Sequence, residues 1–161
     1  VPGVYAVGDL TGEPMLAHRG IAQGELVADV LAGRDRVWDH HAVPAVCFTD
    51  PEIFSVGHTP DSARANTERD VVVGTATFRA NGRALTLADD DGLVRVVADA
   101  ASTVVLGVQG VGPGVSELAA PAALAVELAA TLEDLGATII AHPTLSETVT
   151  DAVHAASARL G

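Results

Sequence analysis

The pattern of hydrophobic and polar positions predicts helices at both ends of the chain and strands in the middle. Apolar residues three and four apart indicate a helix over about 15–31, with Gly33 placed to end it. A second helical region covers about 115–130, a short helix follows Thr131, and a last helix runs to about Arg159.

The second helical region contains Pro121, and a proline inside a helix costs about 3 kcal/mol unless the helix kinks or begins later. Ala130 also stands where a glycine would be expected to end that helix. Both residues indicate that this helical region departs from an ideal helical sequence.

Alternation of apolar and polar residues predicts a sheet in the middle of the chain. Five strands are predicted, at 43–48, 53–58, 71–79, 92–99 and 103–111. Turn residues at 49–52, Asn81-Gly82 and 90–92 separate them, so the neighbouring strands should pair antiparallel. Thr59 followed by Pro60 predicts the start of a short helix to about residue 66.

A polar segment divides the chain into two parts. Charged and histidine residues at 34–36 and 39–41 predict a joint between domains. We predict that 1–36, with a strand at 4–7 and the first helix, ends one domain. Residues 43–161 then form a second domain of the α+β class, with a mostly antiparallel sheet and flanking helices. Because the chain begins within a predicted strand, we expect it to be a piece of a longer protein.

The composition and charge of the chain indicate the type of core it forms and exclude some classes of binding partner. Hydrophobic residues make up 48% of the chain and aromatic residues 3%, so the core should consist of small aliphatic side chains. The formal net charge is −12, and such a field disfavours binding to nucleic acid or to an anionic membrane surface. No apolar run reaches membrane-spanning length, and we expect a cytoplasmic protein.

The chain contains one cysteine, Cys47, which excludes an internal disulfide, a Cys-x-x-Cys pair and a cysteine zinc site. Its apolar neighbours predict a buried side chain. His40-His41 lacks companion ligands, and the acidic run at 89–92 lacks the glutamate that would close a calcium loop. We therefore predict no metal site.

Two motifs near the start of the chain have chemistry suited to a cofactor. Asp9, after Gly8, would place a carboxylate at a sheet edge, where it can accept hydrogen bonds from sugar hydroxyls. The alternative is an ordinary Gly-Asp turn. Met15, Leu16, Ala17 and His18 open the first helix, whose free N–H groups can bind an anion or a carbonyl oxygen. The alternative is an apolar helix start with one exposed histidine.

A third motif, 142–147, pairs a histidine with a carboxylate. Glu147 can fix one ring nitrogen of His142 and leave the other free to take a proton, which makes a general base. In the alternative interpretation, Thr144 and Glu147 form a capping box at a helix start and His142 is an ordinary surface residue.

The order and separation of five motifs resemble the C-terminal part of the dihydrolipoamide dehydrogenase family. The motifs are Val4-Tyr5-Ala6-Val7-Gly8-Asp9, Pro14-Met15-Leu16-Ala17-His18, Phe48-Thr49-Asp50-Pro51-Glu52, Asn81-Gly82-Arg83-Ala84 and His142-Pro143-Thr144-Leu145-Ser146-Glu147. The resemblance covers essentially the whole chain. It implies that 1–36 is the end of an FAD-binding domain and 43–161 is a dimerisation domain.

The resemblance also implies roles for individual residues. Asp9 would bind the FAD ribitol, and 15–18 would lie beside the flavin. His142 would accept the proton of a dihydrolipoamide thiol, with Glu147 orienting it, in the active site of the partner subunit of a homodimer. The family passes electrons through a redox disulfide and FAD to NAD, and its substrates are lipoyl domains of 2-oxo acid dehydrogenase or glycine-cleavage complexes.

The family's redox cysteines, its main FAD-binding motif and its NAD domain would lie upstream of Val1. Since Cys47 is the only cysteine, we expect this chain to be inactive by itself. Two alternatives stay open: a non-catalytic dimerisation module, and part of a related flavin disulfide reductase with another dithiol substrate. A Cys-x4-Cys pair upstream would favour the enzyme over the module.

Overall fold

The fold is described from a computed structural model, which describes residues 1–66 and 70–161. It contains two compact units, Val1–His40 and His41–Gly161. No helix in the described ranges is long and apolar enough to cross a membrane.

The first unit contains a 3-10 turn at Gly8–Thr11 and helix α1 at Ala17–Leu31. The helix predicted over 15–31 is therefore confirmed, and Gly33 adopts the left-handed backbone (φ +81°) that suits a residue just past a helix end. The strand predicted at 4–7 is not formed. Val7 has extended backbone angles, but no strand in the described part of the chain pairs with this segment. Without a paired neighbour, the run is only an extended segment.

The second unit is built on a five-stranded antiparallel sheet in the order β1-β2-β5-β4-β3. The strands are β1 Ala45–Cys47, β2 Glu52–Gly57, β3 Val71–Thr77, β4 Leu93–Asp99 and β5 Val105–Gly112. Three of these strands lie within the predicted ranges, and β2 and β5 each extend one residue beyond them. Strands β1 and β2 form the predicted hairpin. The α+β class with an antiparallel sheet is therefore confirmed.

Five helices accompany the sheet in the described part of this unit: α2 Pro60–Asn66, α3 Gly82–Leu87, α4 Ala119–Glu127, α5 Leu132–Ala137 and α6 Glu147–Ser157. Short 3-10 turns occupy Phe78–Ala80 and Val115–Leu118. The simple turn predicted at Asn81-Gly82 is wrong. The side-chain oxygen of Asn81 instead accepts a hydrogen bond from Ala84 N (3.0 Å), so this asparagine begins helix α3.

The core lies between one face of the sheet and the helices, and most of its side chains are small and aliphatic. Alternate residues of β4, Val94, Val96 and Ala98, are fully buried in it. Helix α6 packs against β3 so closely that a side-chain carbon added to Gly74 would lie 1.9 Å from Ala152 O. The absence of a side chain at Gly74 therefore sets the distance between α6 and the sheet.

Cys47 is exposed, so its predicted burial is wrong. The reason is the alternation of an edge strand: Val46 packs against the core, and its neighbours Ala45 and Cys47 point outward. The apolar sequence around Cys47 suggested burial on both faces of the strand, but only one face of β1 is covered.

Pro121 lies in the first turn of α4, because the helix begins at Ala119 and 115–118 form a 3-10 turn. In the first turn an N–H group has no partner within the helix, so the missing N–H of proline removes no helical hydrogen bond. Of the two alternatives that Pro121 left open, a kink or a later start, the structure shows the later start.

Replacing Ala129 with glycine should stabilise the protein by roughly 0.5–1 kcal/mol. Ala129 follows α4 with φ +50°, a left-handed conformation that costs an alanine about 1–2 kcal/mol, partly offset by the greater chain entropy of an unfolded glycine. Urea unfolding measures the change. Ala130→Gly is the matched control and should destabilise, since Ala130 does not have a positive φ. If Ala130→Gly were more stable to urea than Ala129→Gly, this explanation would be refuted.

Candidate active site

His142 and Glu147 meet where the loop after α5 enters α6. Glu147 is the first residue of α6, and its Oε1 lies 2.8 Å from Nδ1 of His142. The His142 side chain is 76% exposed, whereas the Glu147 side chain is 28% exposed. The structure therefore brings together the two residues that the sequence paired, with the imidazole directed to solvent and its carboxylate partner sheltered.

The second oxygen of Glu147 holds the loop. Its Oε2 accepts a hydrogen bond from the backbone N–H of Thr144 at 2.8 Å. The reciprocal bond of a capping box is not formed, because Thr144 Oγ1 donates to Ala141 O and the residue before the helix is Ser146. A complete capping box exists elsewhere, between Thr131 and Asp134 at the start of α5. Glu147 thus fixes both the loop backbone and the imidazole.

This geometry suits proton transfer. A carboxylate at Nδ1 favours the tautomer with the proton on that nitrogen, and the other ring nitrogen, Nε2, can then take up a proton from a substrate. The carboxylate also stabilises the imidazolium that results. The pair can therefore act as a general base at an exposed surface.

The hydrogen bond from Thr144 N, and then the one from His142, lower the pKa of the Glu147 carboxyl below its usual range. A carboxyl with a lowered folded-state pKa adds stability above its unfolded pKa of about 4.3, and this contribution disappears as the pH falls through the folded value. We therefore expect Glu147→Gln to lose less stability than the wild type as the pH falls from above to below about 4.3.

Urea unfolding across this range measures the difference in slope. Glu117→Gln, at an exposed position in the 3-10 turn before α4, is the control for loss of one negative charge. Equal slopes for Glu147→Gln and the wild type would contradict the pKa shift.

A buried residue that sequence analysis treated as part of a turn also contacts this loop. The Asn81 side chain, only 3% exposed, donates hydrogen bonds to Thr144 O (2.9 Å) and Thr148 Oγ1 (3.0 Å). An asparagine just before a helical segment is a typical cap, which could have been inferred from the sequence. Its second role could not, because its partners lie more than sixty residues away.

The other candidate residues all lie in the first unit. Asp9 is exposed in the 3-10 turn, and Gly8 before it has φ +76° and donates its N–H to Gln23 Oε1 (2.7 Å). Leu16 precedes α1 without a side-chain cap, and Ala17 and His18 are the first two residues of the helix. Met15 is 56% exposed.

Part of this unit has chemistry suited to a flavin cofactor. An exposed carboxylate at Asp9 can accept hydrogen bonds from hydroxyl groups, and the exposed Met15 side chain offers an apolar surface before the start of α1. The residues present therefore fit the cofactor that the sequence resemblance implied. No group of three His, Cys, Asp or Glu side chains in the described ranges is arranged to hold a metal ion.

Comparison with known proteins identifies the second unit. Residues 43–153 match the family described as the pyridine nucleotide-disulphide oxidoreductase, dimerisation domain. The chain belongs to this family. The match covers the whole antiparallel sheet and includes the loop of His142 and Glu147, so the histidine–carboxylate pair lies within the dimerisation domain.

The relatives carry consistent names. The chain is 52% identical to dihydrolipoyl dehydrogenase 2 of Haloarcula marismortui over 95% of its own length and 32% of the relative's. It is 53% identical to dihydrolipoyl dehydrogenase of Halobacterium salinarum, over 94% of its length and 32% of the relative's. The chain therefore spans about a third of the curated relatives that it matches.

A solved structure has the same fold as this chain. The crystal structure of LpdA from Mycobacterium tuberculosis superposes with a TM-score of 0.86 at 31% identity, over 94% of this chain and 33% of that one. The resemblance to dihydrolipoamide dehydrogenases inferred from the motifs is confirmed. The roles of individual site residues, and the assignment of 1–36 to an FAD-binding domain, stay predictions.

Proposed function

We propose that this chain is the C-terminal part of a dihydrolipoyl dehydrogenase, which oxidises protein-bound dihydrolipoamide and reduces NAD. The observation that carries the proposal is the 2.8 Å contact between His142 Nδ1 and Glu147 Oε1 on an exposed loop of the dimerisation domain. The names of the relatives that share about half of its residues support the choice of substrate.

In the proposed reaction His142 Nε2 removes the proton from a thiol of dihydrolipoamide. The products of this step are a thiolate, which is the nucleophile that attacks a disulfide, and an imidazolium held by Glu147. The cysteine pair for that exchange lies outside these 161 residues, since Cys47 is the only cysteine. FAD, when bound, would carry the electrons from the reduced cysteines to NAD. The chain by itself should therefore be inactive.

We further propose that the enzyme is a homodimer in which His142 serves the active site of the partner subunit. Large apolar side chains are exposed on this unit: Leu124 and Leu128, one turn apart on and just after α4, and Ile139 in the loop before His142. Exposed apolar side chains suit a self-association interface. Ile139 lies three residues before His142, which supports a base that is delivered across the interface.

The first unit would complete the cofactor site. We propose that 1–36 is the end of an FAD-binding domain, that Asp9 binds the ribitol and that 15–18 face the flavin. The exposed Asp9 carboxylate and the exposed Met15 side chain before α1 support this assignment. Lipoyl domains of 2-oxo acid dehydrogenase or glycine-cleavage complexes are the proposed protein substrates, and the cytoplasmic location stays a prediction.

The test is to express the complete reading frame that contains this chain and to assay the purified protein. We expect a dimer with bound FAD that reduces NAD with dihydrolipoamide and does not turn over with glutathione. A dimer without FAD or turnover would instead support the non-catalytic dimerisation module. Turnover restricted to another dithiol would support a related flavin disulfide reductase.

A further inference from the structure

Asn81 joins three parts of the dimerisation domain that are far apart in sequence. Its side chain begins α3 through Ala84 N, reaches the loop that carries His142 through Thr144 O, and contacts α6 through Thr148 Oγ1. Both Asn81 and Thr148 are buried, at 3% and 0% exposure. Hydrogen bonds in such a site are protected from water, and their loss leaves unsatisfied polar groups.

The orientation of the Asn81 amide is fixed by its partners. Ala84 N–H can only donate, so it requires the side-chain oxygen, and Thr144 C=O can only accept, so it requires the side-chain nitrogen. An aspartate would keep the first bond and lose the second, with a carboxylate oxygen against a carbonyl oxygen. The site is therefore specific for an asparagine-type side chain.

The Thr144 backbone is held from both sides. Its N–H donates to Glu147 Oε2 at 2.8 Å, and its C=O accepts from Asn81 Nδ2 at 2.9 Å. Glu147 in turn contacts His142 through its other oxygen. A continuous set of hydrogen bonds thus runs from Asn81 through Thr144 and Glu147 to the imidazole.

The corner formed by Asn81 and Gly82 also lies directly beside the imidazole. A side-chain carbon added to Gly82 would lie 3.8 Å from both His142 Cε1 and Pro143 Cβ. The start of α3 is therefore close to the His142 loop, and the Asn81 amide is the hydrogen-bonded link between them.

We infer that Asn81 is a positioning residue for His142: it holds the Thr144 backbone, which aligns Glu147, which orients the imidazole. This inference rests on the proposed function, because it assigns Asn81 a role in the same proton transfer. Misplacement of a reacting group by about 1 Å can cost about a hundredfold in rate. A loss of about tenfold or more in turnover is therefore expected when the link is removed.

Serine at position 81 separates the two roles of the asparagine. Serine is a good N-terminal cap and can still accept from Ala84 N, but its side chain is too short to reach Thr144 O and Thr148 Oγ1 as well. Asn81→Ser should therefore fold with α3 intact and lose the bonds to Thr144 O and Thr148 Oγ1. Thr59→Ala removes the cap of α2, whose bond from Ser62 N involves no residue of 142–148, and is the control for loss of a cap.

The experiment is a double-mutant cycle in the complete FAD-containing enzyme, with dihydrolipoamide-dependent reduction of NAD as the readout. Asn81→Ser should lower kcat about tenfold or more with FAD content unchanged, and should have no further effect in a His142→Gln background. Thr59→Ala should lower activity by the same small factor in both backgrounds. Flavin reduction by NADH, which does not need the base, should be unchanged in Asn81→Ser.

Near-normal turnover of Asn81→Ser, or an equal loss in both backgrounds, would overturn the inference and leave Asn81 as a structural cap. Normal turnover of His142→Gln alone would instead overturn the proposed function, so the two failures are distinct. If Asn81→Ser does not fold, Asn81→Asp carries the same test, because it keeps the bond from Ala84 N and loses the bond to Thr144 O.

Discussion

Replacement of His142 with glutamine in the complete enzyme should lower turnover by a factor of about 10²–10⁴, the usual contribution of a positioned general base. Glutamine can still contact Glu147, but it has no nitrogen that takes up a proton near neutral pH. The bond from Thr144 N to Glu147 involves no atom of His142, so the loop should keep its conformation. The loss should therefore appear in kcat, measured by steady-state reduction of NAD.

His154→Gln is the matched control, because His154 is also an exposed histidine and lies later on α6. It should retain wild-type turnover, and both variants should contain a full complement of FAD. Wild-type kcat for His142→Gln, or an equal loss in both variants, would show that His142 is not the base.

The second large effect concerns stability. Gly74→Ala should lower the free energy of unfolding by roughly 3 kcal/mol or more, at the upper end of the cost of overpacking a core. The added carbon would lie 1.9 Å from Ala152 O and 2.4 Å from Ala156 N, both backbone atoms of α6 that no side-chain rotation can move away. The helix must shift, and Glu147 at its start must shift with it. Urea unfolding measures the loss.

Gly136→Ala provides the control for adding one methyl group to this unit. Its new carbon would lie 3.7 Å from His154 Nε2 and from Val153 Cγ1, which is ordinary contact, and Gly136 lies within α5. This variant should be unchanged or more stable by up to about 1 kcal/mol, because alanine favours helices. If Gly74→Ala were as stable as Gly136→Ala, the close packing of α6 on β3 would be refuted.

Most of the strands and helices could be predicted from local sequence patterns. The strands and the larger helices were predictable because apolar residues repeat with the period of each element, and Thr59 and Thr131 are typical caps. The two wrong predictions, a strand at 4–7 and a buried Cys47, have the same cause. The segment 4–7 has a strand sequence but no paired partner, and Cys47 has apolar neighbours but lies on an edge strand. Pairing and the covering of a face are tertiary properties that a local pattern does not contain.

The candidate site shows the same limit. The spacing of His142 and Glu147 left a capping box as the alternative, the family resemblance favoured their pairing, and the structure places them in contact. The division of the carboxylate between the imidazole and Thr144 N was not predictable, since either bond alone fits the sequence. The role of Asn81 was not predictable for a different reason. An Asn-Gly pair between strands usually indicates a turn, and only the folded chain shows that the Asn81 amide contacts Thr144 O.

The most direct test of the account separates the two half-reactions of the complete enzyme. Stopped-flow absorbance follows reduction of the bound flavin by dihydrolipoamide, which requires the base in the proposed reaction, and by NADH, which does not. In His142→Gln we predict that reduction by dihydrolipoamide slows by about a hundredfold or more while reduction by NADH keeps its wild-type rate. Equal rates with dihydrolipoamide in the variant and the wild type, or equal slowing of both half-reactions, would contradict the assignment of His142 as the proton acceptor.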